Sequence, residues 1–170
     1  MMPATADYVP LDDTPWMPFP EAFSDGGIRW KLLHVSPEMG AWTAIFDCPR
    51  GSSFASHVHL GPGEYLLTKG KMEVRGGHER GGATALAPGY GYEACNARHD
   101  KTYFPVASEF YMTFLGPLQF IHPDGTPRAV VGWAQAQELW SAQLAGVEQR
   151  APRRRIGTIK KAAVERGRSV

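Results

Sequence analysis

The chain has 170 residues, of which 43% are hydrophobic and 21% charged, and a formal net charge of +1, as is typical of one globular domain. No secretory h-region opens the given sequence, and no apolar run approaches the roughly 18 residues of a membrane helix, so we expect a cytoplasmic protein with no membrane partner. Its two cysteines, Cys48 and Cys95, form no C-x-x-C pair, which excludes a zinc ribbon and a thioredoxin-like motif.

The first predicted elements are an N-terminal arm and a series of short strands. Residues 1–24 are rich in Pro, Asp and Thr and are expected to lie over a domain that spans 25–147. Runs of β-branched and aromatic residues, punctuated by Gly and Pro, follow the arm. The predicted strands cover 28–34, 41–48, 53–59, 64–69, 71–75, 84–87, 102–106, 109–115 and 118–121. Many short strands at this spacing favour an all-β fold, an antiparallel sandwich or barrel.

One helix is predicted after the strands, at about 133–146. Apolar residues recur there on one helical face: Trp133, Ala136, Trp140, Leu144 and Val147. We expect this face to pack against the barrel or against a neighbouring subunit.

The basic residues are concentrated after this helix. Eight of the 18 lysines and arginines fall within 148–170, against two acidic residues, and residues 1–147 carry an acidic excess. The run 153–155 is a possible handle for nucleic acid. Because no aromatic residue interleaves with these charges, we predict instead a solvated tail, disordered or a short exposed helix, without a nucleic-acid partner.

A pair of histidines gives the clearest indication of function. His57 and His59 stand two residues apart in a predicted strand, so both imidazoles point to the same face. Glu64 follows shortly after, beyond a Pro-Gly turn. Two imidazoles and a carboxylate on one face can form half or more of a metal site.

The flanking glycines strengthen this interpretation. Gly51, the two histidines and Glu64 match the first metal motif of cupin barrels, Gly-x5-His-x-His-x3–4-Glu-x6-Gly, and Gly70 arrives one residue early. The second cupin motif, Pro-x-Gly-x2-His, fits residues 88–93 poorly, since a glutamate stands where the histidine is often found.

A third ligand must come from further along the chain. His99 is the best remaining histidine, because it follows the Pro/Gly turn at 88–91 and leads into a predicted strand. The other histidines are weaker candidates, at a strand end or in turns: His34, His78 and His122. Spacing alone leaves Glu64 open as a fourth ligand.

Five segments make the chain similar to one particular family, the acetylacetone-cleaving (diketone-cleaving) dioxygenases of the cupin superfamily. They are 20–27, 51–64, 66–70, 72–77 and 110–117, within a resemblance that spans about 18–145. The resemblance implies a cupin-type antiparallel β-barrel or jelly roll, a homotetramer, and one iron(II) per subunit. That iron would be held by His57, His59 and His99, with Glu64 outside the ligand set.

The same resemblance implies roles for residues around the metal. The polar group near it maps onto Tyr65, Arg75, Glu93 and Thr102, and the apolar pocket wall maps onto Phe54, Phe110 and Phe114. Glu93 suits the acceptance of a hydrogen bond from a ligand imidazole, which would fix the tautomer of that ring. Arg75 could keep Glu93 ionised or orient the substrate. The alternative is a purely structural ion pair between Arg75 and Glu93 across the sheet.

The expected function is the O2-dependent cleavage of a carbon–carbon bond in a β-dicarbonyl compound; for acetylacetone the products are acetate and methylglyoxal. Three neutral imidazoles would leave the full charge of a divalent iron to hold the substrate enolate. The alternatives are a related cupin dioxygenase that cleaves a hydroxyacetophenone-type ketone, and a non-catalytic metal-binding cupin that acts as a sensor.

Overall fold

The computed structural model describes residues 8–150, and their side chains as far as residue 147. Short strands dominate, and one α-helix follows them. The strands are β1 (Met17–Pro18), β2 (Ser24–Asp25), β3 (Arg29–Ser36), β4 (Ala41–Cys48), β5 (Ser53–Phe54), β6 (His57–His59), β7 (Gly63–Lys69), β8 (Lys71–Val74), β9 (Ala83–Leu86), β10 (Gly89–Glu93), β11 (Arg98–His99), β12 (Thr102–Tyr103), β13 (Ser108–Phe114), β14 (Leu118–Ile121) and β15 (Pro127–Val131). A 3-10 turn spans His78–Arg80, and the helix, α1, spans Trp133–Arg150.

The largest sheet has six strands, in the order β1-β3-β4-β13-β7-β10. At its centre, Phe46 of β4 lies opposite Phe110 of β13, and Trp42 lies opposite Phe114. These four rings are buried, and in β13 Phe110, Met112 and Phe114 are buried while Tyr111 and Thr113, which alternate with them, are more exposed. Strict alternation of this kind gives a sheet one apolar face, so the sheet forms the broad apolar wall of the domain.

Two smaller sheets, ordered β11-β6-β14-β15 and β2-β5-β12-β8-β9, complete the enclosure. Every strand pair in the three sheets is antiparallel. Side chains from all three sheets line one internal cavity. The predicted all-β antiparallel barrel with a C-terminal helix is therefore confirmed.

The N-terminal segment is more deeply integrated than an arm lying over the domain. Met17 pairs with Trp30 at the edge of the six-stranded sheet, and β2 pairs with β5 of another sheet. Between these strands Phe19 is 4% exposed and packs edge-on against Phe46 and Phe54. Residues 17–25 therefore belong to the barrel itself.

Helix α1 begins at the predicted residue and extends beyond the predicted end. Ala136 and Trp140 are fully buried, and Trp30 of β3 donates a hydrogen bond from Nε1 to Oε1 of Gln143 at 3.1 Å. Four of the five residues of the predicted apolar face thus pack against the core of the same chain, and the fifth, Val147, is exposed. Among residues 8–150 no helix combines the length and apolar content needed to cross a membrane. The predicted basic tail lies outside the described residues, apart from the last turn of the helix.

Sequence patterns predicted the long strands better than the short ones. β4 and β14 have the predicted bounds, whereas the predicted strand 53–59 is interrupted between β5 and β6. β1, β2, β10, β11 and β15 were not predicted. Glycines at 89 and 91 reduce the strand propensity of β10, and only its pairing with β7 makes it a strand.

Candidate metal centre

Three histidine side chains converge inside the barrel. His57 and His59 lie on one face of β6, and His99 of β11 stands directly opposite His57. Directly opposed residues of an antiparallel pair point to the same face, so the third imidazole joins the first two. One ligand nitrogen of each ring lies within 4.8 Å of the others, and the ring centroids are 4.9 to 5.2 Å apart.

All three rings are buried, and burial keeps those of His57 and His59 in the form that binds metals. His57, His59 and His99 are 5%, 2% and 2% exposed. Burial, with the nearby His99, lowers the pKa of His57 to about 4. Burial, with His57 and His99 beside it, lowers the pKa of His59 to about 3. Both rings are therefore neutral at neutral pH, as metal coordination requires.

Hydrogen bonds orient two of the three rings. Nδ1–H of His57 donates to the Ala55 carbonyl oxygen at 2.7 Å, which leaves Nε2 with its lone pair. Nε2 of His99 lies 2.9 Å from Oε2 of Glu93, and its Nδ1 lies 3.3 Å from Oγ1 of Thr102. Nδ1 of His59 is buried and has no hydrogen-bond partner among the described residues. Hydrogen bonds therefore do not explain why the His59 imidazole is buried, whereas coordination of a metal would explain it.

Three of the four predicted polar residues stand at this site. Glu93 ends β10, Tyr65 lies in the adjacent strand β7, and Thr102 lies in β12. All three line the cavity together with the histidines. Burial, and then the nearby Glu93 carboxylate, raise the pKa of the Tyr65 phenol.

Arg75 is the exception, and its predicted contact with Glu93 is not formed. Its side chain is exposed, it does not line the cavity, and it makes no ion pair with Glu93. At φ 52° its backbone is left-handed, where β8 ends and the chain turns through Gly76 and Gly77. This turn leaves the guanidinium in solvent rather than over the inner face of the sheet.

The predicted apolar wall is present, and it is more aromatic than predicted. Phe54, Phe110 and Phe114 all line the cavity. Phe114 stacks on Trp42 with a centroid distance of 3.9 Å and lies nearly parallel to the His59 ring, 6.3 Å away. The remaining apolar lining consists of Phe19, Phe46, Met72, Met112, Leu118 and Phe120.

Glu64 lies on the outer side of the barrel. It is exposed, whereas Tyr65, the next residue of β7, points to the inner side. Glu64 does not belong to the metal-binding group formed by the three histidines in the described part of the chain. The remaining histidines of that part, His34, His78 and His122, are exposed and also lie outside the group.

The lining residues that the sequence analysis missed fall into two classes. Trp42 and Phe46 alternate in a strand that was predicted, and this alternation could have placed them in the wall. Phe19 and Phe120 face the site through long-range packing: Phe120 pairs with His57 across β14 and β6. Nothing local in the sequence marks such a contact.

An antiparallel barrel in which three histidines converge from two adjacent strands defines a metal-binding cupin. Residues 4–119 match the profile of the ChrR cupin-like domain. The chain belongs to this family.

Individual relatives narrow this assignment. The chain is 65% identical over 136 residues to the acetylacetone-cleaving enzyme of Acinetobacter johnsonii, covering 80% of this chain and 89% of that one. The crystal structure of an acetylacetone dioxygenase from the same organism has a TM-score of 0.79 at 65% identity, covering 81% and 92% of the two chains. A protein of Methylibium petroleiphilum PM1, provisionally named acetylacetone dioxygenase, has a TM-score of 0.78 at 74% identity, covering 79% and 94%. The resemblance seen in the sequence is confirmed.

Proposed function

We propose that this protein is an iron(II)- and O2-dependent dioxygenase that cleaves a carbon–carbon bond of β-dicarbonyl compounds such as acetylacetone, giving acetate and methylglyoxal. Both oxygen atoms of O2 enter the two products, so the reaction needs no other oxidant. The observation that carries the proposal is the buried group of His57, His59 and His99 in a chain 65% identical to an acetylacetone-cleaving enzyme.

The donor set fits a divalent metal of this kind. Three imidazoles offer nitrogen ligands, which suit iron, and two of them are held neutral by burial. When bound there, iron(II) would supply a Lewis acid for the two oxygens of an enolate and a redox centre for O2. Neutral ligands contribute no charge of their own, so the site favours an anionic chelating substrate over a neutral one.

The residues around the histidines have separate tasks in this proposal. Glu93 and Thr102 each contact one ring nitrogen of His99. When one of these nitrogens binds the metal, the hydrogen bond to the other nitrogen would fix the tautomer of the ring. Tyr65 completes the polar side of the cavity. Phe54, Phe110 and Phe114 form an apolar side that excludes water and suits the alkyl or aryl groups of a diketone.

Oxygen uptake on a panel of ketones tests this proposal. The protein is loaded anaerobically with iron(II) or zinc(II), and acetylacetone, a phenyl-substituted diketone and a hydroxyacetophenone are added in turn. We expect the iron form alone to consume O2 with acetylacetone and to form acetate and methylglyoxal in equal amounts. Turnover of hydroxyacetophenone alone would identify the related ketone-cleaving activity. Diketone binding without O2 uptake by the iron form would identify a metal-binding sensor.

We also propose that the protein is a homotetramer, as its resemblance to the diketone-cleaving cupins implies. An exposed apolar row crosses the outer side of the six-stranded sheet, where Leu66 pairs with Tyr90 on one neighbouring strand and Tyr111 on the other. These side chains are 48%, 67% and 39% exposed. Light scattering should give the tetramer mass, and Leu66→Lys should lower it; a monomeric wild type would contradict the proposal.

We place the enzyme in the cytoplasm on the evidence of its thiols. Cys48 is buried and Cys95 is exposed, and both are free. Free cysteines suit a reducing compartment. Fractionation of the native host should recover the activity with cytoplasmic markers, and recovery in the periplasm would contradict this location.

A further inference from the structure

A glycine in the edge strand β10 supports the tyrosine of the candidate site. Gly91 pairs directly with Tyr65 of β7. A Cβ atom on Gly91 would stand 2.1 Å from Cζ, 2.3 Å from Oη and 2.4 Å from Cε1 of the Tyr65 ring. The ring therefore lies against the bare backbone of β10, in space that any other residue type would occupy.

The need for glycine at this position comes from the neighbouring ring and not from the backbone. Gly91 lies inside a regular strand and is not among the left-handed glycines. Alanine would fit its φ and ψ angles, and the three atoms nearest to its Cβ would all belong to the Tyr65 ring. Several other glycines of the chain, such as Gly70, have positive φ and would be strained by a side chain for a different reason.

The position of the ring decides how much of the cavity stays open. Tyr65 lies between β10 and the cavity, with the Phe110 ring edge-on at a centroid distance of 6.4 Å. A side chain at Gly91 would push the ring off the strand, towards Phe110 and the space beside the three histidines. A ring in that space would compete with the substituents of a bound substrate.

We infer that Gly91 is a specificity-determining position, which acts by letting Tyr65 lie against β10 and so keeps room for a β-dicarbonyl beside the histidines. This inference rests on the proposed function for the identity of the substrate. Gly91 is a positioning residue, and Tyr65 is the group through which it acts.

A double-mutant cycle tests the inference on the iron(II)-loaded protein. Gly91→Ala should lower kcat/KM for acetylacetone about 10–200-fold, the usual effect of one misplaced methylene-sized group in a pocket, and should lower it more for a phenyl-substituted diketone. In a Tyr65→Ala background, Gly91→Ala should have no further effect, because the ring that it displaces is gone. Gly146→Ala is the matched control, since a Cβ there meets nothing within 4 Å.

A second readout does not depend on turnover. This readout is the 19F NMR spectrum of protein labelled with fluorotyrosine, in which the resonance lost in Tyr65→Phe is assigned to Tyr65. Gly91→Ala should shift the Tyr65 resonance and leave the Tyr111 resonance unchanged. Equal losses from Gly91→Ala in both backgrounds, or an unmoved Tyr65 resonance, would overturn the inference. If wild-type protein turned over no diketone while the resonance still shifted, the proposed function would fail and the contact between Gly91 and Tyr65 would stand. The role in specificity would then be wrong.

Discussion

Oε2 of Glu93 lies 2.9 Å from Nε2 of His99, an imidazole that is only 2% exposed. The contact joins the end of β10 to the candidate metal centre, and Thr102 holds the other nitrogen of the same ring. A buried ring with a partner on each nitrogen has a fixed orientation before any metal binds. Partners of this kind tune metal affinity and activity by about 10–100-fold in other metalloproteins.

Replacing Glu93 tests the importance of this contact. Glu93→Leu should weaken iron(II) binding or lower kcat by about 10–100-fold, and Glu93→Gln, which keeps an acceptor oxygen, should have a smaller effect. Metal titration and steady-state kinetics on the same preparations measure both. Glu64→Gln is the control, because this exposed carboxylate lies on the paired strand β7 and outside the site. Unchanged metal affinity and kcat in Glu93→Leu would remove Glu93 from the site.

The lowered pKa values of His57 and His59 predict that the metal-free protein is sensitive to acid. The unfolded chain takes up protons on these rings near pH 6.5, whereas the folded chain does so only near pH 4 and pH 3. The unfolded state therefore binds more protons as the pH falls through this window. The free energy of unfolding should decrease between about pH 6.5 and pH 4, by up to ~1.4 kcal/mol per pH unit for each ring.

Urea denaturation of the metal-free protein at several pH values between about 7 and 5 measures this slope. His59→Asn should reduce the slope, and His34→Gln, which changes an exposed histidine, should leave it as in the wild type. A stability that does not change over this range would show that the two rings are not neutral and buried in the metal-free protein.

The stacked rings beside His59 predict a large cost for opening the apolar wall. Phe114 lies between Trp42 and His59, and it is 4% exposed. Phe114→Ala should lower the free energy of unfolding by about 3–5 kcal/mol, because the substitution leaves a cavity and removes both stacking contacts. Leu86→Ala, at a side chain that is 64% exposed, should cost no more than about 0.5 kcal/mol. Similar urea midpoints for the two variants would contradict the packing described.

Local patterns predicted the parts of the fold that depend on local sequence. The alternation of apolar residues in β4, β13 and β14 is enough to identify these strands, and the same alternation places His57 and His59 on one face. The two-residue strand β11 has no such pattern, so the position of His99 opposite His57 follows from long-range pairing. The Pro/Gly turn at 88–91 made His99 the best remaining candidate, and the resemblance to diketone-cleaving cupins supported it as a ligand.

The departures from prediction also have physical reasons. Arg75 was placed beside Glu93 by the resemblance, but its left-handed backbone leaves the side chain in solvent. Phe19 was assigned to an arm because its neighbours are prolines and acidic residues, and its burial depends on β1 pairing with β3. Neither outcome can be read from a short window of sequence.

Metal analysis combined with O2 uptake, on wild-type protein and His99→Ala, tests the central claim most directly. His34→Ala is the control, since it removes an exposed histidine that lies outside the ligand group. We predict that the wild type and His34→Ala bind iron(II) stoichiometrically and consume O2 with acetylacetone, while His99→Ala loses both properties and keeps its β-rich circular dichroism. Full iron content and full O2 uptake in His99→Ala would contradict a centre built from His57, His59 and His99.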